Sequence, residues 1–419
     1  MKLGRIIFRR QVIHKTAQNV ATFNQIGNPI ISLRALLLVA VVFVISVGNG
    51  LHAAPPKLSL IAPADAGFDA TKLAEIDGVV EQALTEKKLP GCVVAIGRHD
   101  RLVLLNAFGQ RQLEPSTTTT TTDTLFDLAS LTKPIATATS IMLLIERGKL
   151  QLNDPIAKHW PEFAANGKDK ITVEHLLIHT GGLIADNRIA DYMQGLDKAW
   201  SNIAELKPLA EPNMKFTYSD VGFLVLGRLV ENISGQSVAE FAKANLFDPL
   251  GMSETDYKPK PELRPRSAPT EKRNGEFIRG EVHDPRAYLL GGIAGHAGLF
   301  STAEDLAKYA AAMVGKGQLG DTRIMSEATW SEMTRPRSVS SGKRGLGWDM
   351  QTGYSGNRGA TMSARAFGHG GFTGTSLWID PDTGLFVIFL SNRVHPDGKG
   401  SVNPLAGRIG TIAADAILH

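Results

Sequence analysis

Helical periodicity dominates the middle of this 419-residue chain. Apolar residues recur there three and four positions apart, which predicts helices with one buried face. In the first of these segments Pro134 stands in the first turn and Gly148 near the end, as is usual at helix boundaries. The predicted helices cover residues 130–150, 173–179, 221–233, 238–246 and 303–314.

Short β-strand patterns lie near both ends of the chain. Residues 91–108 form two apolar runs joined by a polar turn, which predicts a hairpin. Residues 375–379 and 385–390 are strand-like runs on either side of an Asp-Pro-Asp-Thr-Gly turn, and a last helix is predicted over 404–418. The simplest topology is an α+β fold, in which one sheet is built from both termini and a helical insertion packs beside it.

An uncharged apolar run, ALLLVAVVFVISV, occupies residues 35–47. Basic residues precede it and small residues follow, so residues 1–54 are predicted to be a secretory signal peptide cleaved near Ala53 or Ala54. The run is shorter than the about 20 apolar residues of a membrane span. An uncleaved N-terminal membrane anchor is the alternative. In both cases the folded part, residues 55–419, is expected outside the cytoplasm, either periplasmic or secreted.

Charge and cysteine content exclude several classes of protein. The formal net charge is +4, but residues 1–34 hold six Lys and Arg with no acid, and the remainder has 39 Lys and Arg against 41 Asp and Glu. A nucleic-acid-binding surface therefore has no support. The single cysteine, Cys92, excludes an intrachain disulfide and a Cys-rich zinc site, and we expect it to be a buried strand residue.

The first candidate for chemistry is Ser130-Leu131-Thr132-Lys133, at the start of the first predicted helix. A serine at a helix start lies near the positive end of the helix dipole. Lys133, three residues on, shares its face and can reach the hydroxyl. Burial would lower the pKa of the lysine, which could then accept the serine proton. An S-x-x-K match alone is weak, since an N-cap serine beside a solvated lysine has the same pattern.

Two further motifs follow in order: Tyr218-Ser219-Asp220 and His369-Gly370-Gly371, the second leading into a predicted strand. With S-x-x-K they resemble the S-x-x-K, Y-x-N and K-T-G motifs of the class C serine β-lactamases and their penicillin-binding-protein and esterase relatives. The resemblance covers roughly residues 68–417. Supporting context is found at residues 125–129, 176–183 and 298–306.

The resemblance implies a role for each matching residue. Ser130 would be the acylated nucleophile, and Lys133 its proton acceptor and electrostatic partner. Tyr218 would be the second general base or proton shuttle. The oxyanion hole would consist of the backbone N–H groups of Ser130 and Phe372, the latter just past Gly371.

Two positions depart from the family pattern. His369 replaces the usual lysine, facing the substrate carboxylate or the tyrosine, and Asp220 replaces the asparagine that binds the substrate amide. A histidine is mostly neutral at pH 7. We expect that Asp220 either adds negative charge near the substrate or raises the pKa of His369 to give an ion pair. The H-x-G form is typical of relatives that act as esterases or as peptidases on D-amino-acid substrates.

The other histidines carry weaker signals. His175 and His179 have the spacing of zinc ligands on a helix but lack the glutamate of H-E-x-x-H, so a structural role is favoured and no metal is predicted. His283 and His296 either line the cleft or hold a loop. No nucleotide-binding motif and no G-x-S-x-G elbow occurs, which argues against a nucleotide cofactor and against an α/β-hydrolase. The sequence therefore predicts an enzyme that needs no cofactor.

The resemblance implies a β-lactamase/transpeptidase-like fold, with an antiparallel sheet flanked by helices and a mostly helical subdomain. The sheet lobe is expected at about 68–128 and 344–419, and the helical lobe at about 129–343. The predicted activity is that of an exported serine hydrolase acting on a peptidoglycan stem peptide, a β-lactam or an ester. A D-alanyl-D-alanine carboxypeptidase or peptidase and an esterase come first. A class C-type β-lactamase and a non-catalytic penicillin-binding sensor are the alternatives.

Overall fold

The computed structural model describes residues 56–418, so the predicted leader lies outside the described residues. Sixteen short and long strands are found within this range. They are β1 (Ser59–Leu60), β2 (Gly91–Arg98), β3 (Arg101–Gln112), β4 (Thr118–Thr119), β5 (Phe126–Asp127), β6 (Lys272–Arg273), β7 (Glu276–Phe277), β8 (Phe300–Ser301), β9 (Gln318–Leu319), β10 (Thr322–Arg323), β11 (Arg337–Val339), β12 (Gly342–Arg344), β13 (Asp349–Gln351), β14 (Phe367–Gly371), β15 (Thr375–Asp380) and β16 (Leu385–Ser391).

Ten α-helices accompany these strands within the described residues. They are α1 (Ala70–Thr85), α2 (Thr139–Glu146), α3 (Val173–Leu177), α4 (Leu196–Ala204), α5 (Asp220–Ser234), α6 (Val238–Ala242), α7 (Pro285–Leu289), α8 (Ala303–Val314), α9 (Glu327–Thr334) and α10 (Asn403–Asp415). No helix in residues 56–418 combines the length and the apolar composition needed to cross a membrane.

The main sheet has the strand order β1-β3-β2-β16-β15-β14-β13-β12-β11, with β4 added beside β3. All neighbours are antiparallel except β1, which runs parallel to β3. The link between the two ends of the chain is the pairing of β16 with β2, from Leu385 opposite Arg98 to Ser391 opposite Cys92. The prediction of one sheet built from both termini is therefore confirmed.

Both faces of this sheet are covered, because successive side chains of a strand point to opposite sides. Cys92, Val94 and Ile96 of β2 pack with α1 and α10 in one core. Val93 and Ala95 of the same strand face the other core, which also holds α2, α5 and α8. Cys92 is fully buried, as predicted. The layers therefore place the helical part of the chain against one face of the sheet.

Each predicted helix and strand overlaps a described element, whereas α1, α4, α7 and α9 were not predicted. Two further differences concern element boundaries. The segment after Ser130 begins as a π-helical stretch, Lys133–Ala138, and continues as α2, which ends at Glu146 rather than at residue 150. The small strands β11 and β12 extend the main sheet to residues before position 344. The sheet therefore includes a part of the chain that we expected in the helical lobe.

Candidate active site

A cleft of about 650 Å³ lies where the end of β14 meets the helical part of the chain. Six of the seven predicted site residues line it: Ser130, Tyr218, Asp220, His369, Gly371 and Phe372. Lys133, the seventh, lies beneath the surface with no exposed side-chain area. The tertiary structure thus brings together three motifs that are distant in the sequence.

A strained turn presents Ser130 to the cleft. Ala129, just before it, has a φ of +46°, in the left-handed region that residues with a Cβ seldom adopt. The buried carboxylate of Asp127 stabilises this turn, because it accepts hydrogen bonds from the backbone N–H groups of Ala129 at 2.8 Å and His283 at 2.7 Å. Asp127 therefore joins the nucleophile turn to the His283 loop.

Lys133 makes three polar contacts, although its side chain is completely buried. Its Nζ donates hydrogen bonds to Ser130 Oγ and to the backbone carbonyl of His296, both at 3.0 Å. The same nitrogen lies 2.6 Å from Asp220 Oδ1, which makes an ion pair. The lysine is therefore fixed between the nucleophile and a carboxylate.

The expected lowering of the pKa of Lys133 is wrong. Burial does oppose the charged form, but the Asp220 carboxylate at 2.6 Å outweighs it, and together with Tyr218 it raises the pKa of Lys133 above its ordinary value. The same ion pair lowers the pKa of Asp220 against the effect of burial. The ion pair therefore favours the ammonium form of Lys133 over the neutral amine that a proton acceptor at Ser130 would need.

Two aromatic rings pack against Tyr218. The ring of His179 lies 4.5 Å from its centroid, and the ring of Tyr354 is stacked on it at 4.9 Å. Lys133 Nζ lies 5.0 Å from the same centroid. Burial raises the pKa of Tyr218, although Lys133 and the Ser130 hydroxyl oppose this shift. Burial therefore favours the protonated phenol, and the influence of Ser130 and Lys133 on its pKa shows that the hydroxyl lies near both.

The expected ion pair between Asp220 and His369 is not formed. Asp220 pairs with Lys133 instead, because the lysine reaches it at 2.6 Å. His369 is buried, with Nδ1 2.7 Å from the carbonyl of Gly370. Burial, with Arg344 and Lys133 nearby, lowers its pKa to about 3. His369 therefore stays neutral, and its ring lies 5.8 Å from that of Tyr218, so it faces the tyrosine.

The end of β14 is bound to the segment that precedes Ser130. Thr375 Oγ1 donates a hydrogen bond to the carbonyl of Leu128 at 3.0 Å, and Thr373 Oγ1 donates one to the carbonyl of Asp127 at 2.7 Å. A Cβ at Gly371 would overlap the Leu128 carbonyl oxygen, so glycine permits this close approach. Phe372, which follows, is 58% exposed and forms a wall of the cleft.

His283 and His296 both line the cleft, and both also hold loops. His296 Nε2 lies 2.9 Å from Asp284 Oδ1, and His283 Nε2 lies 2.5 Å from Glu271 Oε2. His296 and Arg286 strongly lower the pKa of Asp284 against the effect of burial. Both of the roles that we left open for these histidines therefore apply.

Asp220, Asp284 and His296 are the one group of described residues with the spacing of a metal site, each offering a ligand atom within 4.8 Å of the others. The Lys133 ammonium already contacts the Asp220 carboxylate, and His296 already contacts Asp284. A cation there would compete with the ammonium that holds Ser130. The donors are therefore better explained as an ion-pair network.

His175 and His179 are structural, as predicted from the missing glutamate. His175 caps α3, where its Nδ1 accepts a hydrogen bond from the backbone N–H of Thr172 at 3.2 Å. His179 is buried, and its Nδ1 accepts one from the backbone N–H of Ser219 at 3.1 Å. His179 also packs on Tyr218, so this histidine supports the site through hydrogen bonding and ring packing.

Several cleft residues were not predicted from the sequence. Asp186, Tyr354 and Arg393 line the cleft but belong to no motif. Asp284, which directly follows His283, also lines the cleft. The sequence around Tyr354 did carry a weak signal. Residues 353–357, GYSGN, differ from the G-x-S-x-G elbow of the α/β-hydrolases only at the last residue.

The comparisons with known proteins show the family and the fold of this chain. The family model described as Beta-lactamase matches residues 76–410. A protein of Salmonella agona (strain SL483) named "Putative D-alanyl-D-alanine carboxypeptidase" is 31% identical over 387 residues, which cover 83% of this chain and 89% of that protein.

Two solved structures share the fold at low sequence identity. A class C beta-lactamase superposes with a TM-score of 0.69 at 17% identity, covering 84% of this chain and 97% of that one. The hydrolase EstCE1, described as having promiscuous acyltransferase activity, superposes with a TM-score of 0.65 at 24% identity, covering 83% and 99%. On the family match, the relative and the site geometry together, this chain belongs to the beta-lactamase family.

Proposed function

We propose that the protein is an exported serine hydrolase that forms an acyl-enzyme at Ser130, and that it acts as a D-alanyl-D-alanine carboxypeptidase or related peptidase. One observation carries the serine mechanism: the buried Lys133 ammonium donates a hydrogen bond to Ser130 Oγ at 3.0 Å while Asp220 holds the same nitrogen. A positive charge fixed at the hydroxyl stabilises the alkoxide character that develops during attack.

Acylation follows from these positions. Ser130 Oγ forms a bond to the carbonyl carbon of the substrate, and the bond from that carbon to the leaving nitrogen or oxygen breaks. Because Lys133 is already protonated, Tyr218 is the group placed to relay the proton. Its oxygen accepts the serine proton while its own proton passes to the leaving group. The backbone N–H groups of Ser130 and Phe372 would bind the oxyanion.

Deacylation reverses this relay with water in the place of the leaving group. Tyr218 takes a proton from the attacking water and returns one to Ser130 Oγ, and the acyl product leaves as a carboxylic acid. The Lys133–Asp220 pair keeps its charge in both halves of the cycle, so its role is electrostatic and not that of a proton acceptor.

The peptidase assignment is supported by the curated relative named for D-alanyl-D-alanine carboxypeptidase activity. An esterase is the second candidate, and the neutral state of His369 favours it. A peptide ending in D-alanine has a free carboxylate in its leaving group, whereas a simple ester need not have one. His369, with a pKa of about 3, supplies no fixed positive charge for such a carboxylate.

The experiment uses the mature protein with three reagents: a fluorescent penicillin, a diacetyl-L-lysyl-D-alanyl-D-alanine peptide and p-nitrophenyl butyrate. We expect one penicilloyl group on Ser130 by intact mass and peptide mapping, together with release of D-alanine. Ser130→Ala should show neither while it stays folded. Ser401→Ala is the matched control, since Ser401 also lines the cleft.

Each other outcome has a defined meaning. Ester turnover without D-alanine release or a lasting penicillin adduct would replace the peptidase by the esterase. Stoichiometric labelling of Ser130→Ala would contradict the assigned nucleophile. Absence of both turnover and labelling in the unaltered protein would favour a non-catalytic binding protein.

A further inference from the structure

Arg393 lies in the same cleft, just beyond the end of β14, and no motif identified it. Its guanidinium packs on the exposed ring of Phe372, 4.6 Å from the ring centroid. One terminal nitrogen donates a hydrogen bond to the Phe372 carbonyl at 2.6 Å. The other donates to the carbonyls of Gly398 at 3.1 Å and Gly400 at 3.0 Å. Backbone groups therefore fix the orientation of the side chain.

The charge of Arg393 is not neutralised by an ion pair with any described residue, unlike the other cations at the cleft. Lys133 is paired with Asp220 at 2.6 Å. Arg286 lies 3.4 Å from Asp186. Arg393 has only carbonyl partners, which occupy three of the five N–H donors of a guanidinium. Burial lowers the pKa of Arg393 and the charge of Glu271 opposes this shift, but the contact of that carboxylate is with His283, at 2.5 Å. A guanidinium with free donors at a cleft wall is suited to a carboxylate.

The position of Arg393 relative to Tyr218 determines which half of the substrate it would meet. The proposed proton relay requires the leaving group to lie beside Tyr218, and the ring of His369 on β14 is 5.8 Å from that tyrosine. His369 lies in the middle of β14, whereas Phe372, on which Arg393 packs, follows the last residue of that strand. With the leaving group beside Tyr218, the acyl half of the substrate, which stays attached to Ser130, would lie on the Phe372 and Arg393 side.

We propose that Arg393 binds a carboxylate on the acyl half of the substrate, so that the enzyme prefers acidic acyl donors such as acidic peptides. This inference rests on the proposed acyl-enzyme and adds its substrate class. His283 stacks on Phe372, with 5.6 Å between ring centroids, which makes a flat apolar floor next to the guanidinium. An acyl chain can cross this floor before its carboxylate reaches Arg393.

The test compares two esters with acyl chains of equal length and the same leaving group. Mono-p-nitrophenyl adipate ends in a carboxylate, and p-nitrophenyl hexanoate ends in a methyl group. The readout is the ratio of kcat/KM for the adipate to kcat/KM for the hexanoate. We expect a ratio above one that falls about 10- to 100-fold in Arg393→Gln, the range for loss of one charged hydrogen-bonded contact. Arg393→Lys should give an intermediate ratio, because lysine keeps the positive charge but lacks the planar guanidinium that can donate two parallel hydrogen bonds to a carboxylate.

Arg365→Gln is the matched control, because Arg365 pairs with Asp382 on the surface and should leave the ratio unchanged. If Arg393 serves only to hold the Phe372 carbonyl, its replacement will slow both esters equally, and the constant ratio will overturn the inference. A ratio at or below one in the unaltered protein will do the same. If the unaltered protein hydrolyses neither ester but releases D-alanine from the peptide, the inference is overturned while the proposed hydrolase stands. If it does neither, both are rejected.

Discussion

The Lys133 ammonium lies 2.6 Å from Asp220 Oδ1 and 3.0 Å from Ser130 Oγ, so the nucleophile, the lysine and a carboxylate form one continuous contact. Asparagine is the usual residue of the family motif at this position, and it would leave the lysine without a counter-charge. The carboxylate fixes the lysine in its charged form. In the proposed mechanism, catalysis at Ser130 would therefore use the fixed charge of Lys133 and a different group, Tyr218, to move the proton.

Replacing Asp220 by asparagine tests this charge. In Asp220→Asn burial remains and the carboxylate is lost, so the pKa of Lys133 should fall. Because the ammonium is the active form, kcat/KM for an ester should decrease at alkaline pH, about tenfold for each pH unit above the lowered pKa. The measurement is the pH dependence of kcat/KM. A rate that rises with pH in the variant would show that the neutral lysine acts as a base instead.

Asp186→Asn is the matched control for Asp220→Asn. Asp186 lines the same cleft, but its partner is Arg286 at 3.4 Å. The control removes one negative charge from the cleft without touching the lysine. Its pH profile should keep the shape of the unaltered protein.

Tyr218→Phe should remove the proton relay and keep the packing of the ring. We expect kcat/KM to fall about 10²- to 10⁴-fold, the usual contribution of positioned acid–base catalysis. The free energy of unfolding should change little, since the aromatic contacts with His179 and Tyr354 do not need the hydroxyl. Tyr354→Phe, in the neighbouring stacked ring, is the control and should retain most of the activity. Similar rates for both variants would exclude Tyr218 as the relay.

Gly371→Ala should separate β14 from the nucleophile segment. The added Cβ would overlap the Leu128 carbonyl oxygen and Thr375 Oγ1, so either the strand or the turn must shift. Overpacking of this kind costs about 1–3 kcal/mol. We expect a lower free energy of unfolding and a larger loss in kcat than in KM, because the oxyanion donors move apart. Gly353→Ala, where a Cβ meets nothing within 4 Å, should change neither quantity.

The buried neutral His369 should make folding stability depend on pH. Its pKa is about 3 in the folded protein, against an ordinary value near 6.5 in the unfolded chain. As the pH falls below 6.5 the unfolded chain binds a proton that the folded protein does not, so stability decreases down to about pH 3. Between pH 6.5 and 5 this amounts to about 2 kcal/mol.

Urea unfolding at these two pH values measures the effect. In His369→Gln the decrease between pH 6.5 and 5 should be smaller by about the same 2 kcal/mol. The exposed His99, changed to glutamine, serves as the control and should leave the decrease as it is in the unaltered protein. An equal decrease in all three proteins would mean that His369 accepts a proton in the folded state.

Local patterns were enough to predict six of the ten described α-helices and the four longest strands. Helix α8 was predicted with its observed bounds, because a threonine cap and apolar spacing are local signals. The hairpin of β2 and β3 and the pair β15–β16 follow from β-rich runs joined by polar turns. Helix α1 was not predicted, although its buried residues Leu73, Ile76, Val80 and Ala83 recur three and four positions apart.

The sequence alone also indicated the nucleophile, its lysine and the tyrosine, because three ordered motifs carry more information than any one of them. It could not decide the charge state of Lys133. That state depends on the distance between Lys133 and the Asp220 carboxylate, which are 87 positions apart in the sequence and 2.6 Å apart in the structure. Nor could it find Arg393, which reaches the cleft only because β16 lies next to β15 and places the following loop beside Phe372. Motifs are local, whereas pKa values and cleft walls depend on distances that only the packed chain sets.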